Sequence, residues 1–152
     1  MSKKANILVI DDDKIIRETL AIALENEGYS VGKAENGREA IAKSYENFYN
    51  IAIVDWRLPD IDGTSLLGKL KETTPKMAKI MLTGYPSINN AVESVNNRAD
   101  AFLVKPVDIA VLLKKVSTLL EEQEQARTYS EEKVTVFIET RTKDIMQDKT
   151  AK

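Results

Sequence analysis

Short, mostly apolar runs alternate with longer amphipathic stretches through the first four-fifths of the chain. The runs Ile7-Leu8-Val9-Ile10, Tyr29 to Ala34, Ile51-Ala52-Ile53-Val54, Lys79-Ile80-Met81-Leu82-Thr83 and Ala101-Phe102-Leu103-Val104 are rich in β-branched residues and bounded by polar or turn residues. That is the pattern of strands buried on both faces of a parallel sheet. Between them lie stretches with helical spacing. Lys14 to Glu27 places Ile16, Leu20, Ala23 and Leu24 on one face, with Gly28 as the stop. Asn36-Gly37 opens a second helix over about 38–47 with Ala40, Ile41 and Tyr45 inward. A third runs from about Thr64 to Thr73, closed before Pro75. Ser87 is placed to cap a fourth that reaches about Asn96, and Asp108 to cap a fifth with Ile109, Leu112, Val116 and Leu119 or Leu120 buried.

Five βα units in strict alternation predict an α/β fold, a parallel sheet with helices on both sides. Right-handed crossovers restrict it to a few doubly wound topologies. One such topology is the five-stranded, flavodoxin-like (βα)5 sheet in the order 2-1-3-4-5, here with a C-terminal extension. The boundary is expected near residue 124. Beyond it, 125–152 reads as a partly helical linker or interaction segment. Thr128-Tyr129-Ser130-Glu131 fits a capping box ahead of Val134, Phe137, Ile138 and Ile145, although residues 134–138 alternate like a strand.

Composition narrows the chemistry. With 43% hydrophobic and 30% charged residues, 152 residues can form one ordinary globular core. A net charge of -2 offers no basic field for nucleic acid. The absence of Cys and His removes disulfides, thiol catalysis, Cys/His zinc sites and Ser-His-Asp chemistry. Any metal must sit among oxygen ligands, which favours Mg²⁺, Mn²⁺ or Ca²⁺. No apolar run approaches membrane-spanning length and no secretory h-region opens the sequence, so the expected setting is cytoplasmic.

The strand ends carry the candidate site. Strand one delivers Asp11 and Asp12, strand three Asp55, strand four Thr83 and strand five Lys105. In the order 2-1-3-4-5 these ends lie side by side at the carboxyl edge, where open α/β sheets bind ligands. Two carboxylates about 4 Å apart repel by roughly 4 kcal/mol at an effective dielectric of 20, so the cluster calls for a cation. A hard divalent ion suits one or two carboxylates plus water and a phosphate oxygen. Lys105 offers a point charge and Thr83 a donor to a phosphoryl group, and Asp55 is the natural nucleophile for an acyl phosphate.

Four motifs in order, Leu8-Val9-Ile10-Asp11-Asp12-Asp13, Asp55-Trp56-Arg57-Leu58-Pro59 with Gly63, Leu82-Thr83-Gly84, and Phe102-Leu103-Val104-Lys105-Pro106, resemble the receiver domain of two-component response regulators over about residues 6–121. The resemblance implies a phosphorylation-dependent signalling switch rather than an enzyme acting on a separate substrate. Asp55 is then the phospho-acceptor, and Asp12, Asp55 and the Arg57 backbone carbonyl ligate Mg²⁺ (or Mn²⁺). Asp11 holds a metal-bound water, and Thr83 and Lys105 grip the phosphoryl group. Thr83 and Phe102 form the switch, and the Lys105–Pro106 bond is cis. The donor is a histidine kinase or phosphotransfer protein. The responding surface is helix four, strand five and helix five, read by a downstream protein or a second copy of the chain. The tail is the other candidate dimer element. No nucleic-acid or membrane partner is implied.

Some residues have plainer readings. Asp13 is better placed as a helix cap, Phe102 can be simple core, and Asp60-Ile61-Asp62-Gly63 reads as a turn in which Gly63 supplies an unusual backbone angle. Arg57 and Tyr85, two residues beyond Asp55 and Thr83, are positioned to set the acyl phosphate's lifetime. The rival function is a haloacid-dehalogenase-like phosphohydrolase with Asp11 as nucleophile and Asp13 as general acid. That reading leaves Asp55 idle.

Overall fold

The computed structural model describes residues 5–84 and 99–150, with residues 142–150 by backbone alone. Its strands are β1 (Asn6–Ile10), β2 (Ser30–Ala34), β3 (Ile51–Asp55), β4 (Ala78–Thr83) and β5 (Ala101–Val104). All pair in parallel, in the order β2-β1-β3-β4-β5. The expected doubly wound sheet is therefore the observed one. The helix expected after Ser87 lies outside the described residues, as does Tyr85.

Alternate residues of each strand enter opposite cores. On one face Ile7, Val9, Ile51, Ile53, Ile80 and Leu82 meet Leu20 and Leu24 of helix α1 (Lys14–Asn26), together with Leu112, Val116 and Leu119 at the start of the C-terminal helix. On the other, Leu8, Ile10, Ala52, Val54 and Met81 meet Ala40 of α2 (Gly37–Glu46) and Leu66 and Leu67 of α3 (Gly63–Leu67). Burial on both sides explains why the middles of these strands are apolar on both faces. Each fully buried Val, Leu or Ile contributes about 1.5–3 kcal/mol. The sheet therefore holds its carboxyl edge rigidly.

The helix ends follow from identifiable bonds. Asp13 caps α1 by accepting from the Ile15 and Ile16 amides. Gly28, at φ 94°, ends that helix, its N–H bonding to the Glu25 carbonyl while that of Tyr29 bonds to Leu24. This is a Schellman closure, which needs the left-handed residue that glycine supplies.

Three expectations change. The third helix does not reach Thr73. The Lys71 amide that would continue it donates instead to Ser44 Oγ at 3.1 Å, and the Leu67 carbonyl accepts from the buried Lys79 ammonium at 2.7 Å. Tyr45 is not inward but 62% exposed. The buried face of α2 runs through the small residues Gly37, Ala40 and Ser44, which permit close approach. Finally, Thr128 starts no helix. The C-terminal helix runs unbroken over Ile109–Thr150, because 107–152 contains no Gly or Pro and the supposed linker is Glu-, Gln- and Ala-rich. Arg127 reinforces it by pairing with Glu124 and Glu131. Met1–Leu120 and Glu121–Lys152 form separate compact units.

Candidate functional site

The carboxyl ends of β1, β3 and β5 converge on three carboxylates and one ammonium. Asp11 continues β1 and is fully buried, its backbone fixed by an N–H bond to the Ala34 carbonyl and by Arg17 donating to its own carbonyl at 2.8 Å. Asp55 ends β3 and is 7% exposed. The next amide, Trp56, donates to the Leu82 carbonyl of β4 at 2.7 Å. Asp12 is exposed at the mouth. Asp11, Asp12 and Asp55 each offer an oxygen within 4.8 Å of the others.

Lys105, one residue past β5, closes the group. Its Nζ lies 3.1 Å from Asp11 Oδ2 and 3.1 Å from Asp55 Oδ1. The Lys105 amide donates to the Thr83 carbonyl at 2.7 Å, so β4 sets its position. The Lys105–Pro106 bond is cis.

Electrostatics make Asp55 the unusual group. Burial pushes its carboxyl up to about 6, the negative neighbour Asp11 adds to the rise, and Lys105 and the Arg57 N–H oppose it. Burial disfavours the charge of Lys105, but hydrogen bonds to Asp55 and Asp11 outweigh it and hold the ammonium above its ordinary value. One ammonium faces three carboxylates, two of them buried. That donor set fits a hard divalent cation.

The remaining predicted residues distribute as follows. Thr83 is buried at the end of β4, paired in register with Val104. Phe102 lies opposite Met81 on β5, half-buried against the second core. Arg57 is exposed, and its backbone pairs with that of Asp62 as an isolated antiparallel β-bridge. Gly63 does not have an unusual backbone angle. A Cβ there would lie 2.4 Å from the Asp55 carbonyl oxygen and 2.8 Å from Met81 Cε, so the requirement is close approach. Asp13, spent on its cap, is unsuited to be a general acid, which removes a part the phosphohydrolase reading needs.

The turn after β3 holds residues that sequence reasoning missed. Asp62 caps α3 through Ser65 N at 2.9 Å, and Asp60 reaches a different helix, accepting from Gly37 N at 2.8 Å and Arg38 N at 2.9 Å. An Asp two residues before the apolar-periodic stretch could have suggested the first bond. Nothing local signals the second.

Comparison with known proteins matches residues 7–117 to the model of the response regulator receiver domain. The chain belongs to the response regulator receiver domain family. It is similar to a CheY-like receiver domain protein from Methanospirillum hungatei JF-1, with 44% identity and a TM-score of 0.76 over 80% of this chain and 98% of that one. A response regulator protein from Burkholderia pseudomallei, solved with a phosphorylated aspartic acid, a calcium ion and citrate, is 35% identical with a TM-score of 0.70, over 81% and 73% of the two chains. The transcriptional regulatory protein GlrR of Escherichia coli K12 is 34% identical over 82% of this chain. The receiver spans only 28% of that protein's length. Receiver domains bind a divalent metal at their acidic pocket and work with histidine kinases and downstream effectors. None of the comparisons favours a dehalogenase-like phosphohydrolase.

Proposed function

We propose that this receiver accepts a phosphoryl group on Asp55 from a histidine kinase or phosphotransfer protein and thereby changes the surface it offers a partner. The observation that carries this reading is the Lys105 ammonium held 3.1 Å from both Asp11 and Asp55, with Asp12 beside them. An Asp55 carboxylate oxygen attacks phosphorus, the bond from phosphorus to the donor nitrogen breaks, and an acyl phosphate forms. Lys105 then neutralises one phosphoryl oxygen and Thr83 donates to another. Asp12, Asp55 and the Arg57 carbonyl are the residues to hold Mg²⁺ or Mn²⁺, with Asp11 behind a bound water. The ion supplies charge neutralisation for the incoming phosphoryl group. The Burkholderia relative, carrying both a phosphorylated aspartate and a divalent ion, supports the assignment.

Signalling follows as a population shift. Thr83 moves toward the phosphoryl group, Phe102 turns inward, and the surface formed by the fourth helix, β5 and the start of the C-terminal helix is remodelled. Coupling of this type is worth about 1–3 kcal/mol. Arg57 and Tyr85 set the lifetime of the acyl phosphate by restricting the attacking water. The protein is a self-modifying switch with no separate substrate, and we place it in the cytoplasm. No helix among the described residues is long and apolar enough to cross a membrane.

Incubation with a small acyl phosphate and Mg²⁺ tests the assignment. Mass spectrometry should show one phosphoryl group on Asp55, absent in Asp55→Asn. A chain that gains no mass under those conditions sinks the reading.

The tail favours a homodimer. Tyr129, Val134, Val136, Phe137 and Ile138 are each more than half exposed on a helix with no interruption. Size-exclusion chromatography of the full chain and of a version ending at Gln125 should give a dimer for the first and a monomer for the second.

A further inference from the structure

The loop between β3 and α3 is tied down at both ends and in the middle. Gly63 N–H donates to the Trp56 carbonyl at 2.7 Å, which holds Arg57 and Asp62 opposite each other as an antiparallel backbone pair, and Asp62 caps α3. These bonds are local. The Asp60 bonds are not, because its two carboxylate oxygens take the first amides of α2, 22 and 23 residues away in sequence. Its carboxyl is held below the usual range first by the Gly37 amide and then by that of Arg38. Packing makes the same junction. A Cβ on Gly37 would lie 2.2 Å from Ile61 Cγ2 and 3.3 Å from Asp60 Oδ1, so any larger residue at 37 must push the Ile61 side chain out of its present seat. The start of α2 thus has two caps, Asn36 through Glu39 N at 2.8 Å and Asp60 from across the fold.

We infer that Asp60 is a positioning residue for the divalent-cation site, clamping the 57–62 loop to α2 so that the Arg57 backbone is preset for the ion. The inference rests on the cation-site reading above. Arg57 lies between Asp55, whose carboxylate accepts its N–H, and the clamped turn, so its carbonyl can keep one direction only if the turn is fixed. A fixed ligand costs less ordering on binding than a mobile one. The coupling is reciprocal, so an ion that favours the seated loop also tightens the Asp60 bonds to Gly37 and Arg38. Helix α2 becomes an element that senses whether the site is filled.

The test uses Trp56, the sole tryptophan, adjacent to Asp55, as a fluorescence reporter of Mg²⁺ binding to the full chain. Asp60→Ala should raise the Mg²⁺ Kd about tenfold, the low end of what loss of a supporting partner costs a metal site. Asp60→Asn, which keeps one acceptor oxygen, should fall between. Asn36→Ala removes the other cap of α2 without touching the loop and should leave the Kd unchanged, whereas a merely structural role for Asp60 predicts equal behaviour of the two alanine variants. Amide hydrogen exchange supplies the second readout: Mg²⁺ should slow exchange at Gly37 and Arg38 in the parent chain and not in Asp60→Ala. An unchanged Kd in Asp60→Ala, with the parent chain responding normally to Mg²⁺, overturns the clamp and leaves the cation site standing. A parent chain that shows no Mg²⁺ response overturns both.

Discussion

Gly63 lies so close to Asp55 that the smallest side chain would press within 2.4 Å of the Asp55 carbonyl oxygen. That oxygen is backbone and cannot swing aside, so Gly63→Ala must displace either β3 or the loop. We expect a loss of about 1–3 kcal/mol, the range for overpacking a tight interior, read as a lower urea midpoint. Phosphorylation of Asp55 should slow as well, because the displaced backbone carries the proposed acceptor.

The raised Asp55 carboxyl predicts an unusual pH profile for the metal-free chain. Its folded value of about 6 lies above the ordinary 3.8, so the folded state binds this proton more tightly than the unfolded state does. The group's contribution to stability is therefore greatest below about pH 4, declines as pH rises toward 6, and is a full penalty above that. At roughly 1.4 kcal/mol per unit the penalty is about 2–3 kcal/mol. In EDTA near pH 7.5, Asp55→Asn should melt at a higher temperature than the parent chain. Mg²⁺ should raise the melting temperature of the parent and do little for the variant.

Lys105 opposes the rise in the Asp55 carboxyl, so Lys105→Met should carry that value above 6. Carbon-detected NMR titration of the aspartate carboxyls reads this directly. The variant should also lose more stability near pH 8 than near pH 5, since at the lower pH Asp55 can take up a proton in place of its missing partner. Equal losses at both pH values would contradict the geometry.

Lys79 offers a contrast remote from the strand ends. Its buried ammonium donates to the Leu67 carbonyl where α3 stops. Lys79→Met leaves that carbonyl without this donor, at a cost of about 1–3 kcal/mol. Denaturation should report the loss while the rate of Asp55 phosphorylation stays unchanged, separating support of the fold from chemistry.

The strand ends were legible in the sequence because four of the five runs stop at a residue with chemistry. Asp11, Asp12, Asp55, Thr83 and Lys105 mark those stops, and strand order alone brings them to one edge. Legibility failed where a long-range bond overrides a local pattern. The periodicity after Thr64 continues, yet Ser44 and Lys79 take the two groups that would extend the helix. Tyr45 fits a helical face by spacing but not by size. Asp60 was invisible for the same reason, since its partners lie on an element that closes before the central strand begins. The Thr128 capping box misled in the opposite sense: a start signal has no force inside a helix already propagating from Ile109.

Both oxygens of Asp11 accept hydrogen bonds, Oδ1 from the Asp13 amide at 2.9 Å and Oδ2 from Lys105 at 3.1 Å. On the proposed reading, a cation arriving at the mouth meets in Asp11 an anchored anion that exerts its field from a distance, through solvent the ion brings along. Ions that surrender hydration grudgingly are suited to such a berth, and it tells hard ones of similar radius apart poorly. Mg²⁺ and Mn²⁺ should then give similar Kd values when each is titrated against Trp56 fluorescence.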